Sequence, residues 1–177
     1  MSIETLKSAL PDYAKDLRLN LSSVLSQPML SANQTWGTAL ATAIAARNPA
    51  VIAAINAELQ GKIDATNITA AKTAAALMGM NNIYYRYVHL SPTADFKTMR
   101  AGLRMNGMVG HGADGLDFEL WSLAVSAVNG CGMCIESHEH EVFKKGATKE
   151  QVQAVVKIAA VITAVSAALE GAAALGE

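Results

Sequence analysis

No segment of the chain sustains the apolar–polar alternation of a half-buried strand. Apolar residues recur instead at three- and four-residue intervals, in blocks separated by residues that start and stop helices. Asn33 is placed to cap a helix running to about residue 46. Asn48 followed by Pro49 supplies an N-cap and a first-turn proline for a second helix, which Gly61 ends. An alanine-rich helix follows over residues 68–80. Asp114 or Asp117 starts a helix through Val128, and Gly146 stops the next one, which carries both cysteines. Thr148 with Gln151 has capping-box spacing and opens a last long helix to about residue 169. The pattern predicts an all-α fold.

Residues 81–115 break the rhythm with tyrosines, Pro92, methionines and the stretch "GHGADG", and read as a connector between two halves. His111, set between glycines there, reads as a loop histidine in solvent. Sliding the chain by 85 positions sets Trp36 on Trp121 and Gly61 on Gly146 without a gap, and "WGTALATAIAARN" on "WSLAVSAVNGCGM". The predicted organisation is one domain over residues 1–177. Two repeated helical units, about 31–80 and 116–169, bury each other's apolar faces in it. Only the second copy carries chemistry: Cys131 overlays Ala46, Cys134 overlays Pro49, His138 overlays Ala53 and Glu119 overlays Gln34.

Composition narrows the function classes. A chain of 177 residues can bury a self-sufficient core, and with 51% hydrophobic but only 5% aromatic residues that core must be aliphatic, as in close-packed helices. A net charge of -1 and a pI near 6.4 leave no basic excess for phosphates, which argues against a nucleic-acid partner. The N-terminal stretch lacks the uninterrupted apolar segment of a secretory signal, so a cytoplasmic location is expected. The most apolar run, residues 158–169 between Lys157 and Glu170, is too short by itself to cross a bilayer, and no membrane association is expected. In a reducing compartment a cysteine pair points to metal binding or catalysis rather than to a permanent disulfide.

Both cysteines lie in "NGCGMCIESHEHE". From a helical Cys131, at about 100° per residue, Cys134 lies about 60° to one side, His138 lies between the two at about 20°, and His140 faces away. A four-ligand zinc site is therefore excluded, although three ligands with an outside donor remain open. Asn129 and Gly130 break the preceding helix and put Cys131 in the first turn of the next. There the free N–H groups and the helix dipole favour a thiolate. His138, one turn after Cys134, is placed as its base. By field alone Cys131 is the more acidic thiol; by its base Cys134 is the one deprotonated in attack, and the second argument governs because a base acts during the step. A base needs an orienting partner. Glu119, on the otherwise apolar helix before the motif, and Glu141, three residues after His138, compete for that role. Glu139, Lys144 and Lys145 read as a solvated face.

"FELWSLAVSAVNGCGMCIESHEH", with "PDYAKDLRLNLSSVL", "WGTALATAIAARNP", "ALMGMNNIYYR" and "GLRMN", closely resembles the alkyl hydroperoxidase D family, the C-x-x-C branch of the carboxymuconolactone decarboxylase-like superfamily. The resemblance covers nearly the whole chain. It implies an all-helical repeat fold assembled as a homotrimer, and thiol-dependent reduction of organic hydroperoxides. It also implies re-reduction of a partner peroxiredoxin, alkyl hydroperoxide reductase C, with electrons from the dihydrolipoyl group (dihydrolipoamide) of an acyltransferase. No bound cofactor and no metal are implied. Position by position, Cys134 becomes the peroxide-attacking thiol that passes through a sulfenic acid, Cys131 the more exposed resolving thiol, and His138 with Glu119 the proton relay. Met133 stands where some members carry histidine, so a proton step through that position is not carried over. The alternative reading is a small metal-binding or scaffold protein without redox turnover.

Overall fold

The computed structural model describes residues 2–176. Eight α-helices account for most of them: α1 (Ile3–Ala9), α2 (Asp16–Val24), α3 (Ala32–Ala46), α4 (Pro49–Glu58), α5 (Ala65–Leu90), α6 (Gly115–Val128), α7 (Gly132–Lys144) and α8 (Lys149–Leu175). No strand forms among the described residues; one isolated bridge joins Gln60 to Ile63. The all-α expectation holds.

The helix starts follow side-chain capping. Asn48 accepts from the backbone N–H groups of Ala50 and Val51, and Thr148 and Gln151 form the expected reciprocal box. At α3 the cap is Ser31, boxed with Gln34, rather than Asn33; the serine hydroxyl reaches the Gln34 N–H and the glutamine carbonyl reaches back. Asp114, not Asp117, caps α6, which leaves Asp117 as a buried carboxyl inside the first turn. Three predicted ends move outward. The alanine-rich helix starts at Ala65 and continues to Leu90, absorbing residues 81–90 that read as connector in the sequence, and α8 continues to Leu175. The true connector, 91–114, contains two short 3₁₀ turns, Ala94–Lys97 and Asn106–Met108. His111 is not free in solvent: its ring stacks on Phe118 at 4.0 Å between centroids, and its Nδ1 accepts from the Ala113 N–H.

Helix α3 lies at the centre, against α5, α6 and α8, and α6 in turn packs on α5, α7 and α8. Small residues bring these axes close. Gly37 faces the indole of Trp121 so tightly that any side chain there would overlap the ring, and Trp121 is wholly buried. Trp36 instead lies partly exposed beneath the Lys62 ammonium, 4.0 Å above its ring. The 27-residue α8 is long and apolar enough by length and composition to cross a membrane, unlike the shorter run read from the sequence. Its residues Val152, Val155, Ile158, Ala159, Ile162 and Val165 are buried in the shared core.

Candidate active site

The site forms where α6 ends, α7 begins and the middle of α5 crosses beneath both. Asn129 closes α6 and Gly130, at φ +65°, takes the left-handed conformation that reverses the chain. The Cys131 N–H donates to the Ser126 carbonyl at 3.1 Å, which draws the cysteine inward. Cys131 is therefore the N-cap of α7 rather than a first-turn residue, and its sulfur accepts from the Cys134 N–H at 3.3 Å. The two cysteines are joined as a disulfide, with Cα atoms 5.3 Å apart, inside the range that such a bond spans.

This turn is tied to α5 by a chain of amides. Asn129 donates to the Asn82 Oδ1 at 2.9 Å, Asn82 donates to the Ser126 hydroxyl at 3.0 Å, and an Arg86 guanidinium N–H donates to the Asn129 carbonyl at 2.6 Å. Asn82 is completely buried, so its hydrogen bonds replace those that water would otherwise supply.

His138, one turn along α7 from Cys134, is buried and held at both ring nitrogens. Its Nδ1 lies 2.7 Å from Glu119 Oε2, and its Nε2 lies 3.2 Å from the Met78 sulfur. Geometry thus selects Glu119 over Glu141, which lies on the outer side of α7 with Lys144 at 3.4 Å. His140 and Glu139 are exposed on that same outer side. Neighbouring Asp117 turns elsewhere. Burial raises its carboxyl above the ordinary aspartate value and the Asp114 charge adds to this, against a hydrogen bond from Gln34.

A cavity of about 240 Å³ opens at the cysteine–histidine pair. Cys134, His138 and Met133 line its α7 side; Met78, Asn81 and Tyr85 line its α5 side, and Met108 of the connector completes the rim. The walls are mostly apolar, which suits an alkyl group. The Cys134 sulfur is also 4.0 Å from the Asn81 carbonyl oxygen. Exposure of the cysteines runs against the expectation drawn from the resemblance: in the disulfide form Cys131 is completely buried, whereas Cys134 borders the cavity. Met133 is an exposed residue on the rim, so a proton-transferring group is lacking at that position.

All four residues selected from the sequence, Cys131, Cys134, His138 and Glu119, are brought together. What sequence reasoning missed is the α5 contribution of Met78, Asn81 and Asn82. The signal is present as "GMNNIYY": an amide pair and a methionine at the point where the alanine-rich pattern stops but the helix does not.

Comparison with known proteins identifies the family. Residues 94–177 match the Carboxymuconolactone decarboxylase family. A protein of Rhodospirillum centenum named alkyl hydroperoxide reductase AhpD is 61% identical over 175 residues, covering 99% of this chain and 94% of that one. Proteins of the same name from Gluconacetobacter diazotrophicus (58% identical, 100% of this chain and 97% of that one) and Brucella abortus (54%, with 97% and 98% covered) are similar throughout. With identity this high along nearly full lengths, the chain belongs to the AhpD family, within the carboxymuconolactone decarboxylase group.

Proposed function

We propose that this protein is a dithiol peroxidase that reduces organic hydroperoxides by cycling Cys131 and Cys134 between dithiol and disulfide. The observation that carries the reading is the convergence of a C-x-x-C pair at disulfide distance with a Glu119-held His138, beside an apolar cavity bordered by Cys134. The names of the relatives support the same chemistry.

In the reduced protein, Cys134 gives up its proton toward His138 and its thiolate attacks the outer oxygen of ROOH. The S–O bond forms as the O–O bond breaks, and the departing alkoxide takes a proton from solvent to leave as alcohol. Cys131 sulfur then attacks the Cys134 sulfenic acid; the S–S bond forms, the S–O bond breaks, and the hydroxide leaves protonated as water. Glu119 holds the imidazole in place through its Nδ1. Cys131, at the N-terminus of α7, sits where a thiolate is favoured by the helix dipole, which suits the resolving step.

The finer reading follows the family resemblance. Electrons come from the dihydrolipoyl group of an acyltransferase, the protein also re-reduces a peroxiredoxin of the alkyl hydroperoxide reductase C type, and it works as a homotrimer in the cytoplasm. Mass spectrometry after one equivalent of cumene hydroperoxide tests the core of the proposal. The expected product has lost two hydrogens between Cys131 and Cys134 and is restored by a dithiol. A singly overoxidised cysteine beside a free one overturns it. Turnover with dihydrolipoamide against a thioredoxin system then decides the donor.

A further inference from the structure

His138 presents a puzzle that the proposed cycle does not resolve. The base assigned to Cys134 has neither nitrogen turned to that sulfur in the disulfide form, since Nδ1 is taken by Glu119 and Nε2 by Met78. The Met78 contact is informative because a thioether has lone pairs and no proton to offer. At 3.2 Å it is attractive only if Nε2 carries the hydrogen. The 2.7 Å contact on the other side needs a proton of its own, whether Nδ1 or Glu119 Oε2 owns it. Read as hydrogen bonds, the two contacts together call for two protons on the His138–Glu119 pair, one of them on Nε2 toward the Met78 sulfur.

We propose that Met78 is a positioning residue which parks the His138 Nε2–H while Cys134 is locked in the disulfide, ready for delivery when Cys134 leaves as a thiolate. The inference rests on the reading that His138 serves Cys134 in the redox cycle. A donor thiolate attacks the cavity-facing Cys134 sulfur; the new S–S bond forms, the Cys131–Cys134 bond breaks, and Cys131 departs with the electron pair at the helix N-terminus. The second thiolate of the donor attacks the donor's own bridging sulfur. The donor disulfide closes and Cys134 departs as a thiolate, which takes the Nε2 proton. Two electrons have passed from dithiol to protein, and His138 is left with a bare Nε2, ready to act as a base on the next peroxide.

A weak acceptor is what this task requires. Sulfur in a thioether holds an N–H loosely and loses it to a charged thiolate, whereas a carboxylate or amide oxygen would keep it. Met78 is wholly buried on α5, and Asn82 Nδ2 approaches the same sulfur at 3.8 Å, so the thioether is fixed rather than free to turn away.

The test uses the full chain in its disulfide form, labelled with ¹⁵N-histidine. Wild type should show a protonated His138 Nε2. Met78→Leu, similar in volume but without an acceptor, should lose or strongly shift that resonance, and Met78→Gln should keep it. In single-turnover reduction by dithiothreitol, Met78→Leu should be slower by about threefold to tenfold, the scale of one modest hydrogen bond. In a His138→Gln background the same substitution should cost nothing further. A wild-type Nε2 without a proton overturns the proposal, as does an equal slowing by Met78→Leu with and without His138. The resonance is read without peroxide, so it stands apart from the peroxidase reading; that reading fails instead if His138→Gln consumes peroxide at the wild-type rate.

Discussion

Removing the Glu119 carboxylate is the most discriminating perturbation of the site, because it leaves both sulfurs and the imidazole in place. The substitution deletes a 2.7 Å hydrogen bond between side chains that are 10% and 17% exposed. Hydrogen bonds to charged groups contribute about 1.5–3 kcal/mol, and at about 1.4 kcal/mol per tenfold in rate this bounds the loss at roughly tenfold to 150-fold. Some water reaches the pair, so the lower part of that range applies, about tenfold to thirtyfold for Glu119→Ala. Glu119→Gln keeps a side-chain oxygen within reach and should lose less. His138→Gln removes the proposed proton-transfer group and should cost about a hundredfold or more. Stopped-flow single turnover with cumene hydroperoxide, followed by fluorescence of the tryptophans, measures each rate, and a thermal melt of each variant separates misfolding from lost chemistry. If Glu119→Ala reacts within twofold of wild type, the carboxylate is a helix-start charge with no part in the relay. If His138→Gln is as fast as wild type while Cys131→Ser is inert, Cys131 is the attacking thiol.

Gly37→Ala forces a methyl group into the Trp121 indole and should destabilise the protein by about 1–3 kcal/mol, read as a lower urea midpoint with an unchanged slope. Asp117→Asn tests the raised carboxyl. A folded-state value above the unfolded one means that the charge costs stability at neutral pH and that the cost fades as the group protonates in acid. The variant should therefore melt higher than wild type near pH 7, and the gap should close as pH falls from above the ordinary aspartate value down to it; a gap constant with pH contradicts burial as the cause. Light scattering at micromolar concentration should report about three times the 18.5 kDa chain mass, and a clean monomer contradicts the trimer proposal.

The helices are legible because their ends are written in short-range chemistry. Thr148 with Gln151, Asn48 with Pro49, and Gly130 each act on neighbours within four residues, so the sequence displays both partners of the interaction. Where two caps compete, at Ser31 against Asn33 and at Asp114 against Asp117, only the backbone path decides which oxygen reaches which N–H. The continuation of α5 is hidden because Asn81 and Asn82 favour turns in isolation. Inside the fold the Asn82 amide is satisfied by Ser126 and Asn129, more than forty residues away. The cysteine–histidine spacing is readable from one helix, and Glu119 from its isolation on an apolar one. Met78 is not, since a methionine on a helix face carries no sign of the imidazole that it meets. Shifted by 85 positions, the ranges of α4 and α5 fall at 134–143 and 150–175, alongside α7 and α8, although Trp36 and Trp121 end in unlike surroundings.

The two links that flank α6 differ in how much lengthening they can absorb. Residues 129–131 are moored to α5 and α6 through Asn82, Arg86 and Ser126. One residue inserted there would pull Cys131 off its carbonyl anchor and change the span between the two sulfurs. Residues 97–100 of the other link are exposed and lie outside every α-helix, so an epitope tag, a fluorophore-bearing cysteine or a whole guest domain spliced at that point leaves the sulfur geometry untouched. Length variants among natural homologues are expected to gather at the same place, and a reporter fused there would follow the protein in a cell without disturbing the cysteine turn.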